Sequence, residues 1–211
     1  MKVKSSGEFE LAPAGSHLAR CYGLIDLGTQ PHAFQGDQWT QRDVRIVFEL
    51  PNERMTGKFH PDSKGKPFMV GMTVKQSLHA KAKLRKMLAG WRGRDFTPEE
   101  LQGFDLKNVL GKPCRLLIVR SSDGQFANIE SISPLGKGEK CAKQTNESIY
   151  LSLEEDEFDP EVFKNLSDRT REKITNSPEY KALFGQHDQG EATTGDAPEG
   201  ETSPVDDNIP F

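Results

Sequence analysis

WTQRDVRIVFEL (residues 39–50) decides the fold class. Val44, Ile46, Phe48 and Leu50 fall on one side of an extended chain. Trp39, Gln41, Asp43, Arg45, Val47 and Glu49 fall on the other. A period of two means a strand with one apolar buried face and one mostly polar face.

Working outward, HLARCYGLIDLGTQ (17–30) is aliphatic without helical periodicity and reads as a preceding strand, with Gly23 and Gly28 as bulge signals. PHAFQGDQ (31–38) reads as the loop between them, and NERMTGKFHPDSKGKP (52–67) as a turn-rich excursion before a third strand, PFMVGMTVKQSL (67–78). HAKAKLRKMLAGW (79–91) places Ala80, Leu84, Met87, Leu88 and Trp91 on one helical face. TPEELQG (97–103) is a short helix with Thr97 as N-cap, Pro98 at its first position and Glu100 completing a capping box. KPCRLLIVRSSDGQFANIESIS gives two more strands around a turn at Asp123-Gly124. A short strand is also expected at Phe9–Leu11 in the N-terminal arm.

Strand, strand, strand, helix, strand, strand is the chain order of an OB-fold, a five-stranded, partly open barrel. The expectation is a mainly β protein: an OB-fold over residues 1–135 with its helix between strands 3 and 4. A linker and helical appendage follow over 136–185, and a disordered acidic tail over 186–211. In the appendage, helices start at Asp159-Pro160 and Ser177-Pro178, the second stopping at Gly185. It holds too few apolar residues for its own core, so it should pack on the barrel or on a second subunit.

The net charge of −4 conceals a division. Residues 1–143 carry 23 basic and 15 acidic side chains, a balance of +8, and residues 144–211 carry 5 and 17, a balance of −12. A basic body suggests a polyanion partner, and an acidic tail suggests a shield or a docking arm. No stretch is apolar for long enough to span a membrane, and MKVKSSGEFEL lacks the apolar segment of a secretion signal, so a cytoplasmic location is expected. Cys21, Cys114 and Cys141 are odd in number and widely spaced, and read as reduced thiols.

Single-stranded nucleic acid needs cations for phosphates and aromatic faces for bases. Trp39, Arg45, Lys58, Phe59, Lys64, Lys66 and Phe68 cluster on the second and third strands and their loop, the usual ligand surface of an OB-fold. Phe68 is also a natural core residue, and Trp91 more so. Catalysis has little support: there is no GxxxxGK[ST] and no HExxH, and the five histidines are scattered. Pro61-Asp62 and Glu179-Tyr180-Lys181 are a weak echo of a metal-nuclease PD…ExK site, the second part on a helix rather than a strand. No enzyme activity, cofactor or metal is expected.

The chain ends in DDNIPF: Asp206, Asp207, Asn208, Ile209, Pro210 and Phe211. Apolar residues closing an acidic tail suit a receptor with a pocket for Phe211, a base for its carboxylate and a basic rim for the acids. This ending resembles the C-terminal tip of bacterial single-stranded DNA-binding proteins. Over residues 17–135 the body resembles the phage-encoded members, in GLIDLGTQ (Gly23–Gln30), the Lys-rich helix before GWRGRDFTPEEL, and VLGKPCRLLI (Val109–Ile118). The helical segment over 134–185 departs from the cellular pattern.

The resemblance implies a bacteriophage protein that coats single-stranded DNA in the bacterial host cell during replication, recombination and repair. It also implies a homo-oligomer, and a tip that recruits host enzymes through Asp206, Asp207, Ile209, Pro210 and Phe211. The rival expectation is a tail-mimicking adaptor or inhibitor of those host proteins that binds no DNA itself. A magnesium-dependent nuclease is the third.

Overall fold

The strand read at 39–50 is the middle of a longer one. A computed structural model describes residues 9–185; the N-terminal eight residues and the acidic tail over 186–211, with the tip residues Asp206, Asp207, Ile209, Pro210 and Phe211 expected to dock partners, lie outside the described part. The architecture is mainly β. Strands β1 (Gly15–Phe34), β2 (Asp37–Arg54), β3 (Pro67–Lys75), β4 (Pro113–Arg120) and β5 (Ala127–Ser133) form an open antiparallel sheet in the order β3-β2-β1-β4-β5. Helix α1 (Lys83–Arg92) and the short α2 (Pro98–Gln102) stand between β3 and β4. The chain order is the expected one. A closed hydrogen-bonded ring is not formed: β3 and β5 touch each other and α1 but share no ladder.

The expected alternation on β2 is present. Val44, Ile46, Phe48 and Leu50 are buried, and with Phe68, Val70, Leu84, Leu88, Trp91, Leu116 and Ile118 they build the main core. Trp91 packs against Phe48 and donates its indole N–H to the Pro113 carbonyl at 2.8 Å, so its polar handle is satisfied. Leu84, Met87, Leu88 and Trp91 form the buried face of α1 as read, but the helix starts at Lys83 rather than residue 79, which leaves Ala80 exposed outside it, and ends on Gly93, left-handed at φ 69°. The capping box of α2 is complete.

Three expectations require correction. Residues 31–38 are not a loop. β1 and β2 run on as a ribbon to a two-residue turn at Gln35 and Gly36, both with positive φ, the geometry that matches the twist of a tight hairpin. Phe9–Leu11 is not a strand; the Glu10 carboxylate accepts hydrogen bonds from the amide and hydroxyl of Thr56 and holds this segment outside the sheet. Residues 136–148 are not a free linker. Arg20 on β1 donates to the carbonyls of Cys141 and Ala142, and Glu49 on β2 accepts from the amides of Thr145 and Asn146.

That stitched segment leads into an unforeseen strand, β6 (Ile149–Leu151), which pairs parallel with Gly23–Ile25 of β1. Helices α3 (Pro160–Lys164), α4 (Asp168–Thr175) and α5 (Pro178–Phe184) then fold over the outer face of β1. Ile25, Leu27, Leu151, Leu153 and Ile174 form a second core there, ringed by Phe158, Phe163, Tyr180 and Leu183. The appendage therefore packs on the sheet. Covered on both faces, β1 is buried continuously from Cys21 to Gly28, which is why its sequence shows no alternation. The two glycine bulge signals match the register shifts at Cys21/Gly23 and Asp26/Gly28. All three cysteines are free and buried.

Candidate nucleic-acid interface

Of the candidate residues, β2 carries Trp39 and Arg45; Lys58, Phe59, Lys64 and Lys66 lie in the segment after it and Phe68 on β3. From Thr29 and Arg42 outward, β1 and β2 pair only with each other, since β3 ends at Asp43 and β4 and β6 cover earlier parts of β1. The result is a two-stranded arm roughly 20 Å long at about 3.4 Å per residue. Directly paired in its ladder, His32 and Trp39 stack their rings 5.7 Å apart at 13°. Trp39 remains 43% exposed and Phe34, near the tip, 65%. The base of the arm is rigid: buried Asp43 accepts from Gln41 and contacts His32 Nε2, each at 2.8 Å, and Arg42 pairs with Asp26 and Glu154.

Arg45 lies farther along β2, exposed, between Ile25 of β1 and Thr73 of β3. Its guanidinium lies across β3, with Nη2 3.3 Å from where a side chain on Gly71 would begin, so the absence of one there gives it a seat. At the far end, after Arg54, the 55–66 segment presents Lys58, Lys64 and Lys66, all exposed and none in an ion pair among the described residues. The Lys58 ammonium sits 4.9 Å over the Phe59 ring, so one face of this half-buried aromatic is already covered. Trp39 and the lysine segment stand at opposite ends of the strand, at most about 50 Å apart along its axis.

One candidate fails here. Phe68 is 6% exposed in the main core and offers no ring to a base. On the mostly polar face of β2, Glu49 is fully buried, its carboxylate bonded to the Thr145 amide at 2.6 Å, the Asn146 amide at 2.9 Å and the Asn146 side chain at 2.7 Å. The parts of the nuclease echo stay apart. Asp62 lies in the 3-10 turn at Pro61–Ser63, and Glu179 is held at the other end of β2 by the amide and hydroxyl of Thr29. Burial acts to raise the Glu179 pKa, but the Thr29 bonds outweigh it and keep it below the ordinary value. Among the described residues no group of three potential metal ligands occurs, and no helix is long and apolar enough to cross a membrane.

Sequence reasoning missed several residues on this surface. His32 and Phe34 were assigned to a loop, although a two-residue Gln-Gly turn places His32 opposite Trp39. Arg169 and Lys173 were missed with α4 itself. Their spacing of four puts both on one helical face, and they border a cleft with Arg45, Leu27, Thr73, Ser167 and Thr170. No family model, curated protein or solved structure was found to match the chain.

Proposed function

We propose that this chain is a non-enzymatic, sequence-nonspecific single-stranded DNA-binding protein that coats DNA in phage replication or recombination. One observation carries the reading: an exposed Trp39 on a projecting arm, Arg45 at mid-strand of β2 and the exposed lysines of the 55–66 segment that follows β2 come one after another, none of these cations in an ion pair among the described residues. A line of rings and cations fits a polymer that is both stacked and charged; a small molecule would be served by a single enclosed site. The finer fold in this reading is an OB-fold, supported by the chain order and by the contact of β3 and β5 with α1 at the open seam. The Asp206–Phe211 tip then recruits host replication and repair enzymes, and identical chains associate along the strand.

A gel shift of the full chain with labelled oligo-dT, at two salt concentrations and with or without magnesium, tests this reading. The expected result is retardation that weakens with salt, because each neutralised phosphate releases counterions. No retardation at low salt refutes DNA binding and leaves the tail-mimicking adaptor. Digestion with magnesium makes the chain a nuclease.

A further inference from the structure

Most arginines in the folded part are neutralised. Arg42, Arg85, Arg92, Arg94, Arg115 and Arg171 each pair with a carboxylate. The cleft between the outer face of β2–β3 and helix α4 is different. Arg45 borders it from the sheet and Arg169 and Lys173 from the helix, around a volume of about 280 Å³. The remaining lining is Leu27 and the hydroxyl residues Thr73, Ser167 and Thr170; no carboxylate borders it. None of the three cations has an ion-pair partner among the described residues. Of the neighbouring acids, Asp168 pairs with Arg171 and Glu179 bonds to Thr29, and Glu172, exposed beside Lys173, is not part of the lining.

The helix is fixed over the sheet. Ile174 is fully buried in the second core, and Gln30 of β1 donates one bond to the Lys173 carbonyl at 2.9 Å and another to that of Leu27 at 2.7 Å. Three like charges are thus held around one opening by packing that has nothing to do with their charge. Their mutual repulsion is relieved by an anion between them, and the hydroxyls supply further donors to its oxygens.

We propose that Arg45, Arg169 and Lys173 form a phosphate seat between the sheet and the appendage. The proposal deepens the reading above and takes its ligand from it: a backbone phosphate of single-stranded nucleic acid. It gives the helical appendage a part in binding, as the second wall of the groove whose floor is β2–β3.

The test uses the full chain and the double substitution Arg169→Ala, Lys173→Ala, both positions being solvent-exposed. Oligo-dT affinity is measured by fluorescence anisotropy across a salt series. Losing one phosphate contact lowers the slope of log K against log salt by about 0.7 for single strands, and the charge-keeping pair Arg169→Lys, Lys173→Arg retains it. An unchanged slope in the alanine pair overturns the seat and leaves DNA binding standing. In a second measurement, inorganic phosphate is titrated at constant ionic strength while the amide resonances of Gly71 and Thr170 are followed. Shifts in the parent that vanish in the alanine pair are expected, and no shift in the parent overturns the seat. If the parent binds no oligonucleotide, the DNA reading fails and the phosphate titration decides the seat alone.

Discussion

Replacing Glu49 with alanine should detach the 139–148 segment from the sheet. The carboxylate is fully buried and accepts three hydrogen bonds, at 2.6, 2.7 and 2.9 Å, from Thr145 and Asn146. Bonds to a charged group contribute about 1.5–3 kcal/mol each, so the gross loss is about 4.5–9 kcal/mol. Against this, the variant no longer buries a charge, which returns several kcal/mol, and the partly exposed donors regain water. The net expectation is a loss of about 2–4 kcal/mol, a large share of a domain's typical 5–15 kcal/mol. Glu49→Gln keeps the shape but turns an amide N–H₂ toward donors, and should recover less than half of that loss. Urea denaturation followed by tryptophan fluorescence gives the difference, and limited proteolysis should show new cleavage between residues 139 and 148. A Glu49→Ala midpoint shift equivalent to less than about 0.5 kcal/mol, within the range of neutral surface changes, would refute the view that this carboxylate anchors the segment.

Further expectations concern other parts of the fold. Trp39→Ala should weaken oligo-dT binding by about 1–3 kcal/mol in a fluorescence titration while leaving the urea midpoint unchanged; equal affinity would remove Trp39 from the interface. Glu100 is held down to a pKa of about 2, chiefly by Arg94 and then by the Thr97 amide and Arg92. Its folded pKa lies below the unfolded value, so its stabilisation is present above about pH 4.5 and is lost as pH falls toward 2. Glu100→Gln should therefore flatten the acid limb of a stability–pH curve, and an identical limb would refute this. Gly28 has φ +68° and would place a Cβ 2.4 Å from that of buried Ser177, so Gly28→Ala should cost about 2–4 kcal/mol through strain and overpacking. Thermal unfolding at the parent temperature would disprove that. Burial pushes Cys21 up to about 12 and raises Cys114 and Cys141, so no thiol should react with a disulfide reagent at pH 8 until urea is added.

The sheet was legible where each residue's surroundings follow from its own strand. β2 reads correctly because Val44, Ile46, Phe48 and Leu50 meet one core, and the capped helices read correctly because Thr97, Asp159 and Ser177 act within four residues of themselves. What failed depended on distant partners. Glu49 looks like a surface acid until Thr145 and Asn146 arrive, and Ile149–Leu151 is too short to signal a strand without its place beside β1. The candidate interface divides in the same way. Trp39, Arg45 and the loop lysines were visible from strand pattern and charge. The partnership of Arg45 with Arg169 and Lys173 crosses more than a hundred residues of sequence and arises only because Ile174 docks on Leu27.

The parallel pairing of β6 with β1 has a consequence for synthesis. A growing chain completes Gly23–Ile25 long before the residues that cover it: Leu151 emerges roughly 125 residues later, about 6–25 s at 5–20 residues per second. During that interval the β1–β2 ribbon can form, but the outward Ile25 and Leu27 are bare and one flank of β1 is unpaired. The nascent protein is therefore most exposed to aggregation and proteolysis just before residues 149–151 are made. A messenger truncated ahead of residue 149 should yield a sticky, short-lived product rather than a smaller working one.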